Sequence, residues 1–169
     1  MAAPITPEKQ LAGFMAKFSP ERAKEIRAAR KRMRALLPGA TELVYDNYNF
    51  FVIGYGPNER PSLAIFSIAA QASGVNLCFL QGAGLPDPTR RLRGSGNIVR
   101  NIRLESTATL DEPDVRALIG VALARAKVRI EPDAKHRLII RSVSAKQRPR
   151  QKPAASARTR KRAQRGRRR

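Results

Sequence analysis

The chain has 169 residues, enough for one domain of ordinary size and a tail. It carries 34 lysine and arginine residues against 13 acidic residues, a formal net charge of +21. Its single cysteine, Cys78, excludes an internal disulfide framework and a metal site built from several cysteines. No apolar run approaches the ~20 residues of a membrane-spanning helix, and residues 1–7 lack a secretory pattern, so we expect a cytoplasmic protein without membrane insertion.

Two helices are predicted at the start of the chain. Residues 7–18 carry apolar side chains at helical spacing, and a second helix should run from Pro20 to about residue 37, with Ser19 as its N-cap. One face of the second helix is basic, and its members are Lys24, Arg27, Lys31 and Arg34. Such a face is either simply solvated or a surface that helps to hold a polyanion.

Strand patterns fill the middle of the chain. They cover residues 43–46, 49–55, 63–70, 75–80 and 97–104. A final helix should begin at a cap formed by Asp111, and residues 137–143 could add a last strand. This order predicts an α+β fold, in which an antiparallel sheet of about five strands has N-terminal and C-terminal helices packed on it.

The composition changes abruptly after Ser144. Alanine, proline, glutamine, arginine and lysine dominate there, and no branched aliphatic or aromatic side chain remains to be buried, so the segment should be disordered. We therefore divide the chain into an N-terminal helical extension (1–19), an α+β domain (20–144) and an Arg/Lys-rich tail (145–169).

The tail carries the strongest functional signal in the sequence. Eight cations fall within its last twelve residues: Arg158, Arg160, Lys161, Arg162, Arg165, Arg167, Arg168 and Arg169. This density favours binding to the phosphates of DNA or RNA without base readout. One alternative is that the tail only makes the protein more soluble. Another is that it binds a membrane surface, which is less favoured because no apolar face accompanies the charge.

A second candidate site is the Gly- and Arg-rich segment 81–103. Glycines let backbone N–H groups approach an anion, and arginines donate to phosphate or carboxylate. The arginines concerned are Arg90, Arg91, Arg93 and Arg100. The segment could instead be a structural loop, and a P-loop does not fit because Gly94-Ser95-Gly96 precedes a strand.

Arg100 is unusual within that segment because strand alternation places it on the apolar face. An unpaired charge there would be costly, so we expect an acidic partner, Glu42 or Asp46. Binding of a ligand at the mouth of a pocket is the alternative explanation.

Signatures of catalysis are missing from the sequence. His136 is the only histidine, so a His-dependent triad or multi-His metal site is not expected, and we predict no catalytic residue, metal or cofactor. The strand aromatics could line a pocket, although such residues more often belong to a core. They are Tyr45, Tyr48, Phe50, Phe51 and Tyr55.

Four stretches in combination resemble the YdhG-like domain family, a bacterial family of largely unknown function. They are residues 42–48 (ELVYDNY), 78–88 (CFLQGAGLPDP), 92–100 (LRGSGNIVR) and 140–150 (IRSVSAKQRPR). The resemblance implies a compact α+β domain with an antiparallel sheet. Some members are described as frataxin-like iron chaperones, but iron handling needs exposed carboxylate clusters. The second helix carries only Glu21 and Glu25 among seven basic residues, which disfavours that function.

The sequence therefore predicts a non-catalytic module that its basic tail tethers to DNA or RNA. The competing hypothesis is a domain that binds a small anionic ligand through residues 81–103. Neither the oligomeric state nor the choice between DNA and RNA follows from these patterns.

Overall fold

A computed structural model describes residues 2–152 of the chain. The helices are α1 (Pro7–Met15), α2 (Pro20–Leu36) and α3 (Pro113–Arg125). The strands are β1 (Thr41–Asp46), β2 (Phe51–Gly56), β3 (Phe66–Gln71), β4 (Gly74–Phe79), β5 (Arg100–Arg103) and β6 (Arg137–Val143). Short 3-10 helices occupy Pro61–Leu63 and Thr107–Asp111. Within residues 2–152, no helix combines the length and apolar character that crossing a membrane requires.

The start of α2 follows the predicted chemistry. Ser19 Oγ accepts the backbone N–H of Arg22 at 3.3 Å, and Pro20 occupies the first turn.

The predicted cap of α3 is wrong. Glu112 occupies the N-cap position without a side-chain bond, and Asp111 ends the preceding 3-10 helix, where its carboxylate binds Arg32.

The six strands form one mixed sheet in the order β5-β4-β3-β2-β1-β6. The chain neighbours β1 to β5 pair antiparallel, whereas β6 pairs parallel with β1. The α+β class is confirmed, but the expected antiparallel sheet of about five strands is corrected to six strands with one parallel pair. The β-pattern of residues 137–143 indicates a strand, but it does not determine which strand β6 pairs with or in which direction. Both depend on α3, which connects β5 at one edge of the sheet to β6 at the opposite edge.

The core lies on the face of the sheet that carries Ile53, Ile68 and Leu77, which are paired across three strands and fully buried. Helix residues complete it, and Leu11 of α1 and Ile26 of α2 are also fully buried. Because Leu11 belongs to the same cluster as the sheet residues, α1 is part of the domain core rather than an extension of it.

The C-terminal segment stays packed beyond the boundary predicted after residue 144. The backbone N–H of Ser144 donates to Asp46 O, and that of Arg148 donates to Tyr48 O, each at 2.9 Å. Arg150 is only 5% exposed. Composition suggested an earlier boundary because the segment has no large apolar residue to bury, but polar contacts with a buried carboxylate hold it instead.

Candidate nucleic-acid interface

The basic face of α2 is exposed to solvent. Lys24, Arg27, Lys31 and Arg34 are all exposed, and none makes an ion pair with any residue in 2–152. At 1.5 Å per helical residue the four side chains follow one face over about 15 Å. Such a line of unpaired cations is complementary to a phosphate chain.

Three acidic groups around α2 are already paired with arginines. Glu25 pairs with Arg22, and the Arg30 guanidinium donates to Glu8 at 2.8 Å and to Glu42 at 2.8 Å. The hydrogen bond from Arg30 lowers the pKa of Glu8 despite partial burial. Glu8, Glu25 and Glu42 therefore do not compete for the exposed cations.

An open groove of about 470 Å³ runs along α2 beside the end of α1. Its lining residues are Met15, Arg27, Arg30, Lys31, Arg34 and Ala35. The groove brings three of the four aligned cations, Arg27, Lys31 and Arg34, together on one open surface, which the sequence indicated only as a helical stripe.

Below the groove lies a buried carboxylate on β1. Glu42 is fully buried, accepts from Arg30, and has its Oε1 2.7 Å from Nε2 of His136. Although burial opposes the charge, the hydrogen bonds to Glu42 and Glu8 raise the pKa of Arg30. Burial and the nearby Glu42 raise the pKa of Tyr55 well above its ordinary value. These contacts satisfy the carboxylate and anchor Arg30, and residues 2–152 contain no His, Cys, Asp or Glu cluster arranged for a metal ion.

A second buried carboxylate on β1 fixes the C-terminal segment. Asp46, fully buried, accepts from Lys17 at 2.6 Å and from Arg150 at 2.9 Å. Arg150 also donates to the backbone carbonyls of Asn47 and Asn49. Sequence reasoning missed this site because nothing in the composition distinguishes Arg150 from the other cations after Ser144.

The same contacts determine where the chain leaves the domain. The side-chain amide of Gln151 donates to Lys17 O at 3.3 Å, in the turn between α1 and α2. The groove borders this turn, since Met15 is one of its walls. The described chain thus ends next to the α1–α2 turn, which follows the groove wall Met15 in the chain.

The predicted nucleic-acid contacts of the tail lie outside the described residues. They are Arg158, Arg160, Lys161, Arg162, Arg165, Arg167, Arg168 and Arg169. The structure shows only where the described chain ends before these residues, next to the turn between α1 and α2.

The arginines of segment 81–103 do not converge on one site. Arg91 binds Glu112 and Asp114 of the α3 start, and Arg90 is exposed with a positive φ of 56°. Arg93 is exposed and pairs through its backbone with Asn101.

The acidic partner expected for Arg100 is not observed. Its guanidinium donates to the carbonyls of Gly96 and Val99, while Glu42 and Asp46 bind other cations. The side chain is half-buried because β5 is a short edge strand, so the charge reaches nearby loop carbonyls instead of the core.

A separate cleft of about 210 Å³ lies between the first 3-10 helix, the end of β4 and α3. Its walls are largely apolar, with Ile65, Phe79 and Leu85 among them, and two cations, Arg125 and Lys127, also line it. Arg125 donates to Gly84 O at 3.0 Å, which fixes it against the loop.

The strand aromatics differ in burial, and Tyr45 is partly buried. Phe51 and Tyr55 are fully buried, as expected of a core. Tyr48 and Phe50 are exposed in the β1–β2 turn, close to the C-terminal segment.

No family model, curated protein or solved structure matches the chain.

Proposed function

We propose that this protein is a non-catalytic module that binds DNA or RNA through phosphate contacts, without sequence preference. The observation that carries the proposal is the unpaired basic face of α2, a helix that begins next to the point where the chain continues into its arginine-rich end. The resemblance to the YdhG-like family stays a prediction.

The distances allow the two basic regions to bind one nucleic acid. The first cation after the described chain, Arg158, follows Lys152 by six residues, which span at most about 20 Å when extended. Arg34 lies about 21 Å from the start of α2. A nucleic-acid backbone that occupies the groove is therefore within reach of the tail.

The chemistry of these residues favours phosphate over bases. Lysine and arginine neutralise phosphates and release counterions, which gives affinity and strong salt dependence but no base discrimination. Because α2 is packed on the sheet through Ile26 and Met33, only its basic side is presented to a ligand.

The test is a salt titration of duplex DNA and single-stranded RNA with the full chain and with a chain ending at Lys152. This truncation keeps Arg150 and the rest of the packed segment, so the domain should remain folded. We expect the log–log salt slope to fall by several units, up to about 7, when the eight tail cations are removed. Equal slopes for the two chains, or no binding by the full chain near physiological salt, would contradict the proposal.

A second candidate function is binding of a small anionic ligand in the 210 Å³ cleft. A cavity of about 150 Å³ holds benzene, so this cleft is large enough for one ring with a small substituent, and Arg125 and Lys127 supply positive charge. Chemical-shift changes at Phe79 and Leu85 on addition of aromatic carboxylates would support it, and their absence throughout such a series would argue against it.

A further inference from the structure

We propose that the β1–β2 turn is a stacking platform for the bases of single-stranded nucleic acid, an inference that rests on the proposed function and names its preferred substrate. The turn presents two exposed aromatic rings, Tyr48 with 50% and Phe50 with 37% of its surface accessible. Aromatic side chains beside a basic surface are the means by which proteins hold unpaired bases without reading their sequence.

The platform is held rigidly by the C-terminal segment. The turn is closed by the hydrogen bond from the Asn47 N–H to Phe50 O at 3.0 Å. The Arg150 guanidinium binds the carbonyls of Asn47 and Asn49, so it fixes the backbone on both sides of Tyr48. The two rings therefore lie on a preorganised loop, and little ordering entropy is lost when a base stacks on them.

The charges around the platform suit a nucleic-acid strand. The Arg148 guanidinium lies 5.8 Å from the centroid of the Tyr48 ring, and half of that side chain still remains accessible. Asp46, the acidic residue that precedes the turn in the chain, is buried and paired with Lys17 and Arg150. The described residues end at Lys152, a further cation of this segment. The phosphates of a bound strand would therefore face Arg148 and Lys152 on this side.

A single strand fits this surface better than a duplex because its base faces are free. In a duplex the bases are stacked on one another, and the rings could reach only the backbone. Stacking of one base on an aromatic ring changes affinity by about tenfold, which is large enough to measure against a phosphate background.

The first test replaces Tyr48 by tryptophan in the full chain, which contains no other tryptophan. We expect oligothymidine and oligouridine to quench the emission of the Tyr48→Trp variant, while a duplex of equal charge quenches it little. Quenching by either single strand supports the platform. If anisotropy shows that the single strands bind and the emission does not change, the platform is wrong and the proposed function stands.

The second test compares affinities for single strands and duplex. The Tyr48→Leu/Phe50→Leu variant keeps apolar side chains but loses both rings, and Ile98→Ala, at another exposed apolar position, is the control. We expect a loss of about tenfold or more for single strands only. An equal loss for duplex and single strands overturns the inference, and failure of every variant and the full chain to bind overturns the proposed function with it.

Discussion

At the scale of single residues, two buried carboxylates on one strand organise the surroundings of the site. Glu42 and Asp46 lie on the core face of β1 and are fully buried. Each is compensated by cations from distant parts of the chain, Arg30 for the first and Lys17 with Arg150 for the second. A buried charge that loses its partner is strongly destabilising, so these pairs tie the helices and the C-terminal segment to the sheet.

Replacing Arg150 by alanine should therefore destabilise the fold. Asp46 would keep Lys17 but lose its buried partner, so we expect a loss of about 3 kcal/mol in the free energy of unfolding, at the low end for such pairs. Urea denaturation measures it. The control is Arg148→Ala, an exposed residue whose removal should cost under about 1 kcal/mol. Equal losses for the two variants would contradict the role given to Arg150.

Glu8 gives a prediction about pH. Its pKa is lowered from 4.5 by the hydrogen bond from Arg30, so its contribution to stability is present above that value and disappears as the pH falls through the lowered pKa. Glu8→Gln should cost about 0.5 kcal/mol at neutral pH, because the side chain is largely exposed. The difference from the unaltered chain should vanish in acid. Denaturation curves across this pH range test it, and a difference that persisted in acid would contradict it.

At the scale of elements, α2 combines a structural face with a binding face. Ala29 and Met33 are buried, whereas the basic residues follow the opposite side of the same helix. Since the exposed cations make no ion pair within residues 2–152, the basic face can be altered without disturbing the core.

The charge of α2 can be tested with a matched pair of variants. Arg27→Gln/Lys31→Gln/Arg34→Gln should lower the salt slope for duplex DNA by about 3 and weaken binding about tenfold or more. The control, Arg90→Gln/Arg93→Gln/Lys127→Gln, removes the same charge from other exposed positions. If both variants lose affinity equally, net charge rather than the groove accounts for binding.

At the scale of the whole molecule, the charge is distributed unevenly. From Arg141 onward the chain has 13 basic residues and no acid, whereas the first 140 residues hold 21 basic and 13 acidic ones. The structure joins the two regions, because the C-terminal segment packs against the turn between α1 and α2 before the chain continues. The packed segment thus belongs to the domain, and the cations from Arg158 onward come after it in the chain.

Two truncations should separate the packed segment from the rest of the tail. A chain ending at Lys152 keeps every described contact of the segment and should match the full chain within about 0.5 kcal/mol. A chain ending at Ser144 loses Arg150 and Gln147, leaves Asp46 with Lys17 alone, and should lose about 3 kcal/mol or more. Thermal and urea unfolding measure both, and equal stability of the two truncated chains would contradict this boundary.

Local patterns in the sequence determined the helices, most strands and the basic face of α2, because spacing and capping depend on near neighbours. Ser19 and Pro20 started α2 as predicted. Such patterns do not predict which residues pair when they are far apart in the chain. The parallel placement of β6 and the burial of Arg150 each depend on residues far apart in the chain. Only the folded chain decides which cation reaches a buried carboxylate, since the energy of a charge depends on its three-dimensional surroundings rather than on its neighbours in sequence.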